Sequence, residues 1–403
     1  MNTPLPHAER LEALTRLLAD WHWLWSPAPF THAGSPWPER APAGDIAACL
    51  QALDDARCQR LQQRPFDASP LAAWLPVDEL ARLVRVPDGA PPIQAPEAWA
   101  AHVGGRKWQQ MLAFAPQVAI GQGQALVEWC AGKGHLSRLL ARRHDGSICA
   151  LEWQPALCES GQALAERQGL EVTLVEQDVM APSVSRHLGD ADRVVALHAC
   201  GDLHVRLLEL AREQKVAISL APCCYQRTRD KIYRPLSRQA QQQAERHGLS
   251  LDREALALSV QETVTASQGE RRKREQANAW RLGFDALQRR LRGVDDYLAV
   301  PSLAYGRMPE RFEDFCRWAA REKGLTVPDG IDWDAYRRRG EACLQRVNRL
   351  ELVRHLFRRP LEVWLVLDRA LWLEEAGFEA QALTITVWDE AEEPIPTFIA
   401  IKP

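Results

Sequence analysis

Residues 126–143 read LVEWCAGKGHLSRLLARR. An apolar run from Leu126 to Trp129 gives way to two glycines one residue apart, Gly132 and Gly134, and then to a helical pattern that begins near His135. Strand, glycine loop and helix in this order make a nucleotide-type site. Glycine lets the backbone come close to a ligand, and the helix amino terminus offers it free N–H groups and the positive end of a dipole. The geometry serves adenine dinucleotides and S-adenosylmethionine alike, so it specifies a class of cofactor and not a reaction.

Moving outward, SICALEW (residues 147–153) is a second short apolar run that closes on Glu152, 18 residues after Gly134. An acid at that spacing is placed to take the ribose hydroxyls of an adenosine. A third run, VTLVEQDV (172–179), ends near Asp178, where a carboxylate can meet the adenine amino group. The plainer alternative is that these are ordinary strand-end acids; the two of them in register with a glycine loop favour the cofactor reading.

From residue 126 the chain alternates strand and helix, with strands expected at 126–129, 148–152, 172–176, 193–198 and 216–221. That alternation predicts an α/β, Rossmann-like parallel sheet covered on both faces, with ligands beyond the carboxyl ends of its strands. The end of the chain offers an amphipathic helix, LEVWLVLDRALWLEEAGF (361–378), and two strand candidates, ALTITVW (382–388) and IPTFIAIK (395–402), joined by DEAEEP. A terminal hairpin after five parallel strands makes a mostly parallel, seven-stranded sheet with an antiparallel end, as in methyltransferases.

A second constellation lies on the fourth and fifth strands, which end DRVVALHACGDL (192–203) and KVAISLAPCCYQ (215–226). Adjacent strands thereby deliver His198, Cys200 and Asp202, and Pro222, Cys223, Cys224 and Tyr225, to one neighbourhood facing the reactive end of the cofactor.

AGKGHLSR, HACGDL, PCCY and the closing LVLDRALWLEEAGF with its hairpin together resemble the S-adenosylmethionine-dependent methyltransferase domain shared by methyltransferase-like protein 25 and its relatives, over roughly residues 104–226 and 360–403. A eukaryotic tRNA 2′-O-methyltransferase is similar more distantly. The resemblance implies a methyltransferase fold with S-adenosylmethionine as cofactor. It implies cofactor contacts from the loop at Gly132 and Gly134 with its neighbours Cys130, Ala131 and His135, from Glu152 and Trp153, from Asp178 and Val179, and from His198. Glu128 stands where the commonest motif has its first acid. Lys107 is a further candidate, to cover one side of the cofactor.

Three readings of His198, Cys200, Cys223 and Cys224 stay open. They are packing residues at crowded strand ends. Or they position the acceptor and take its proton, with His198 or Asp202 as base, Cys223 and Cys224 beside it, and Tyr225 shaping the pocket. Or they hold zinc, against which stands the adjacency of Cys223 and Cys224, both of which would have to turn inward. No metal is assigned here.

The remaining chain divides into a helical region 1–98, the cofactor-binding core 99–226, an Arg-rich helical extension 227–358, and the closing helix and hairpin 359–403. Helical patterns run over 8–25, 44–62 and 71–86, and Trp21, Trp23, Trp25 and Trp37 are either core or a stacking platform. The net charge of −3 announces no nucleic acid, but residues 225–358 carry 27 Arg and Lys against 19 Asp and Glu. That excess is either a solvated helix face or a surface for a phosphate backbone. RNA, as tRNA or rRNA, is the leading acceptor, a protein side chain the next. With no apolar run of membrane length and no secretory pattern, a cytoplasmic protein with ten reduced cysteines is expected. The rivals are an NAD(P)-linked oxidoreductase, whose fingerprint wants a third glycine where Ser137 stands, and an S-adenosylmethionine-binding scaffold without catalysis.

Overall fold

Along the strand Arg193–Cys200, Val194 and Ala196 enter one apolar core while Val195 and Leu197 enter another. Side chains of a strand alternate between faces, so a strand apolar at every position lies inside a sheet covered on both sides. The computed structural model describes residues 5–261, 268–303, 307–385 and 395–401. Within them five parallel strands, β1 (Leu126–Trp129), β2 (Ile148–Glu152), β3 (Val172–Glu176), β4 (Arg193–Cys200) and β5 (Ala217–Cys223), pair in the order β3-β2-β1-β4-β5. Two further strands, β6 (Glu379–Ile385) and β7 (Ile395–Ile401), pair antiparallel with each other, and β7 runs antiparallel beside β5. The acidic turn DEAEEP expected between them lies outside the described residues.

The order places β1 next to β4, where successive connections leave in opposite directions. In an open sheet that reversal opens a crevice at the carboxyl ends of the two strands. The glycine loop leaves β1 there, and the His198–Asp202 segment leaves β4 there.

The chain forms two compact units, each from separated segments: residues 1–20, 80–261 and 358–403 make the first, and 21–79 with 262–357 the second. These bounds cut across the division expected from sequence. Helix His7–Asp20 belongs to the sheet unit, where the Trp364 indole N–H donates to Thr15 Oγ1 at 2.8 Å. Residues 227–261, expected in the Arg-rich extension, also fall in the sheet unit. Other expected helices break where caps intervene: 44–62 is two helices, Ala43–Gln51 and Asp55–Gln63, because Asp54 accepts from the Arg57 N–H at 2.7 Å and starts a new one. The closing helix starts earlier than expected and runs Leu352–Glu374 through Pro360.

In the second unit, helices Gln268–Arg292 and Trp333–Leu350 cross at two glycines. A Cβ on Gly340 would lie 2.2 Å from the Ala279 carbonyl oxygen, so only glycine permits this approach. Trp280, Phe284, Phe312 and Phe315 fill the core beside it. Of the tryptophan cluster, Trp25 and Trp37 are buried, and the Trp37 indole donates to the Leu24 carbonyl at 2.7 Å. Those two are core. No helix among the described residues is long and apolar enough to cross a membrane.

Candidate active site

Between β1 and helix His135–Ala141, Cys130, Gly132 and Gly134 all have left-handed φ, at 58°, 59° and 62°. A turn this tight costs little at glycine, but at Cys130 it is held by its surroundings. Those surroundings are carboxylates. Glu152, buried at the end of β2, accepts from the Gly132 N–H at 2.9 Å and the Gln154 N–H at 3.0 Å. Glu128, buried on β1, accepts from the Ser137 N–H at 2.8 Å and from the Ser137 hydroxyl. Ser137, where a dinucleotide fingerprint would have glycine, thus fastens the helix start to β1. Gly161 is a residue that the sequence reading passed over. A Cβ there would meet the Lys133 carbonyl oxygen at 2.8 Å, so its bareness lets helix Pro155–Arg167 lie against the loop. A lone glycine within a helical pattern was the available signal.

Across the crevice, β4 and β5 pair in register to Leu197–Ala221, slip at a bulge, and resume at Cys200–Cys223. His198 in the bulge has φ 67°, Gly201 has φ 55° and Cys224 has φ 48°. A Cβ on Gly201 would sit 1.8 Å from the Arg227 carbonyl oxygen, so the loop after β5 closes over a position that only glycine can fill. The result is a cluster of thiols, with Cys200 Sγ 3.6 Å from Cys223 Sγ and Cys224 alongside. Hydrogen bonds from Cys223 and then Cys224 hold the Cys200 thiol low, at about 6, against the opposing effect of burial. The charges acting on Cys130 are those of Glu152, Cys200, Glu128 and Asp178, in that order, which joins the glycine loop and the thiol cluster in one neighbourhood.

A family model described as a methyltransferase domain matches residues 107–231. The match covers under a third of the chain, and it favours the methyltransferase reading of the crevice over the NAD(P) one. No curated protein matches the chain. It is similar to a solved complex of the Haloferax volcanii Trm112 methyltransferase activator and a putative methyltransferase, at 18% identity over 32% of this chain and 60% of that one, TM-score 0.25. It is similar to the Pyrococcus abyssi tRNA (uracil-54, C5)-methyltransferase bound to S-adenosyl-L-homocysteine, at 18% identity over 29% of this chain and 27% of that one, TM-score 0.22. A putative S-adenosyl-L-methionine-dependent methyltransferase from Methanococcus maripaludis gives 18% identity over 34% and 69%, TM-score 0.24. The chain thus spans less than two thirds of the first two.

Within the methyltransferase domain the remaining candidates fall as follows. Trp153 is 66% exposed directly after Glu152, and Asp178 is exposed at the end of β3, accepting from the Met180 N–H at 2.9 Å. Ala131 and Val179 are buried beside them. His135 is buried at the helix start, and burial first, then the Arg138 guanidinium, lowers its imidazole to about 4. Lys107 acts electrostatically on Glu128, His135, His198 and Cys200, so it belongs to the same crevice. His198 is brought low, to about 4, mainly by burial, and its enclosed Nε2 has no hydrogen-bond partner in the protein. Asp202 is tied down: its carboxylate accepts from the Arg229 N–H at 3.0 Å and shapes the loop after β5. Tyr225 is buried against other groups, with the Arg369 guanidinium 4.6 Å over its ring and the His204 imidazole edge-on at 5.7 Å.

Burial pushes the Glu128 carboxyl from 4.5 to about 7, with the Ser137 hydrogen bonds opposing. A raised acid contributes stability that is complete below 4.5 and lost as pH climbs through 7. Glu128→Gln keeps an acceptor for Ser137 and removes this loss. Urea unfolding of cofactor-free protein at pH 5 and pH 8 is therefore expected to show the variant gaining on wild type by about 3 kcal/mol as pH rises. A stability difference independent of pH would refute it.

Proposed function

We propose that the protein transfers the methyl group of S-adenosylmethionine to RNA, tRNA or rRNA. The acceptor's lone pair forms the new bond to the methyl carbon while the carbon–sulfur bond breaks, leaving S-adenosylhomocysteine and a proton to be removed from the acceptor. Such a displacement needs an aligned, desolvated nucleophile more than a strong base. In this reading Glu152 takes the ribose hydroxyls, Trp153, Asp178 and Val179 border the adenine, and the loop from Cys130 to His135 with Glu128 holds the methionine part. His198 meets the acceptor. The observation that carries this is its neutral imidazole with an enclosed, unpartnered Nε2, since a buried polar atom in a native protein normally has a partner. Asp202 positions the loop, and Cys223, Cys224 and Tyr225 line the acceptor side. We read β7 and β6 as the antiparallel end of a seven-stranded methyltransferase sheet.

RNA is favoured by the Arg-rich helices of the second unit, which expose Arg272, Lys273 and Arg274 near one helix start and Arg338 and Arg339 on another. Part of the arginine excess is paired with acids instead: Arg289 bridges Asp285 and Asp295, and Arg337 bridges Asp334 and Glu341. The test incubates the protein with methyl-tritiated S-adenosylmethionine and cell extract. The expected label is destroyed by ribonuclease and absent with His198→Ala, which is expected to retain S-adenosylhomocysteine binding. Label sensitive to protease instead transfers the proposal to a protein acceptor. Cofactor binding with no label in any fraction supports the scaffold reading.

A further inference from the structure

We propose that Cys200, Cys223 and Cys224 bind a zinc ion through their three thiolates, with the fourth coordination position open. Neighbouring residues of an extended strand point to opposite faces, which is why two adjacent cysteines make an unpromising ligand pair in a sequence. Here β5 stops at Cys223, and Cys224 turns into the left-handed region at φ 48°. The turn brings both sulfurs to the same side as Cys200, and all three Sγ atoms lie within 4.8 Å of one another. Two thiolates about 2.3 Å from a tetrahedral zinc stand about 3.8 Å apart. Cys200 and Cys223, at 3.6 Å, have that separation, and it is far from the roughly 2.05 Å of a disulfide.

The backbone shows how much is arranged around this cluster. Non-glycine residues in the left-handed region each cost of order 1–3 kcal/mol and collect at functional sites. His198 and Cys224 are two of these, and they flank Cys200 and Cys223. The bulge in β4 re-aims Cys200 toward β5, and Gly201 admits the Arg227 carbonyl that closes the turn. Packing alone does not call for two strained residues and a bulge to gather three thiols. All three cysteines are part-exposed, so an ion has a way in from solvent. Among the described residues His198 is outside the group, which leaves three protein ligands. Three protein ligands with an open position are the pattern of zinc sites that take part in chemistry, whereas structural sites are closed by four. Binding displaces the thiol protons to solvent.

The test uses reduced full-length protein under argon, titrated with Co2+ and then Zn2+. One cobalt per chain is expected, with a thiolate-to-cobalt charge-transfer band and tetrahedral d–d absorption, both abolished by one equivalent of zinc. Cys223→Ser and Cys224→Ser are expected to bind at least ~100-fold more weakly, since even loss of an outer-sphere partner costs 10–100-fold. Cys149→Ser, on β2, keeps wild-type affinity. Far-UV circular dichroism without metal verifies that each variant is folded, and the wild-type spectrum alone decides the matter if a variant is not. Wild type without a charge-transfer band, or a band that survives in both folded variants, would overturn the proposal.

Discussion

Glu152→Gln is expected to weaken S-adenosylhomocysteine binding by about 100-fold, measured by isothermal titration. The carboxylate closes β2 at the crevice and already receives the Gly132 and Gln154 N–H groups, one on each oxygen. A charged acceptor strengthens each hydrogen bond it receives to about 1.5–3 kcal/mol, so replacing it with an amide, which has one acceptor oxygen instead of two, is expected to weaken the proposed ribose contact and loosen the loop together. Thermal stability without ligand should fall much less, because the fold does not depend on one loop. An affinity within about threefold of wild type, against a full bidentate loss of this size, would remove Glu152 from the cofactor site.

Asp368→Ala is expected to cost 3–5 kcal/mol of stability, read from the urea midpoint, because it strands a buried positive charge and four donors. Asp368 is fully buried on helix Leu352–Glu374. It accepts from the Tyr233 hydroxyl at 2.5 Å, the Leu236 N–H, the Ser237 N–H and the Ser237 hydroxyl, each of the last three at 2.8 Å. Arg369, equally enclosed, donates to Tyr233 at 3.2 Å and to His204 Nε2 at 3.0 Å, while His204 Nδ1 donates to the Ala199 carbonyl at 3.0 Å. One network thus runs from the closing helix to the backbone of β4 beside His198. Asp368→Asn, which keeps the size and one acceptor oxygen, is expected to lose about half as much. A loss under about 1 kcal/mol for the alanine variant would show that the network is not a unit.

The parts of the site that could be read in the sequence are those set by local backbone rules. Two glycines a residue apart announce a left-handed turn, and an acid at a strand end announces a crevice, so the turn at Gly132 and Gly134, the place of Glu152 at the end of its strand and the five parallel strands were legible. Asp54 was equally legible as a helix start and should have split the 44–62 pattern. What was hidden depends on partners far apart in the chain. Asp368 and Ser237 are 131 residues apart, and Arg369 and His204 are 165 apart, so no spacing rule joins them. The thiol group was legible as one neighbourhood, but not as three sulfurs turned to one side, because that rests on the φ angle at Cys224, which side-chain type does not foretell. Asp202, one of two candidate bases, proves to accept from the Arg229 N–H, a partner 27 residues away that no spacing rule supplies.

The pairing of Thr15 with Trp364, and of His7 with Glu374 at 2.7 Å, has a consequence for how the molecule is made. Helix His7–Asp20 leaves the ribosome hundreds of residues ahead of the helix it needs. At about 5–20 residues per second Thr15 and His7 wait some tens of seconds for the residues they bond. The sheet unit is therefore joined across its own chain, from segments synthesised far apart in time.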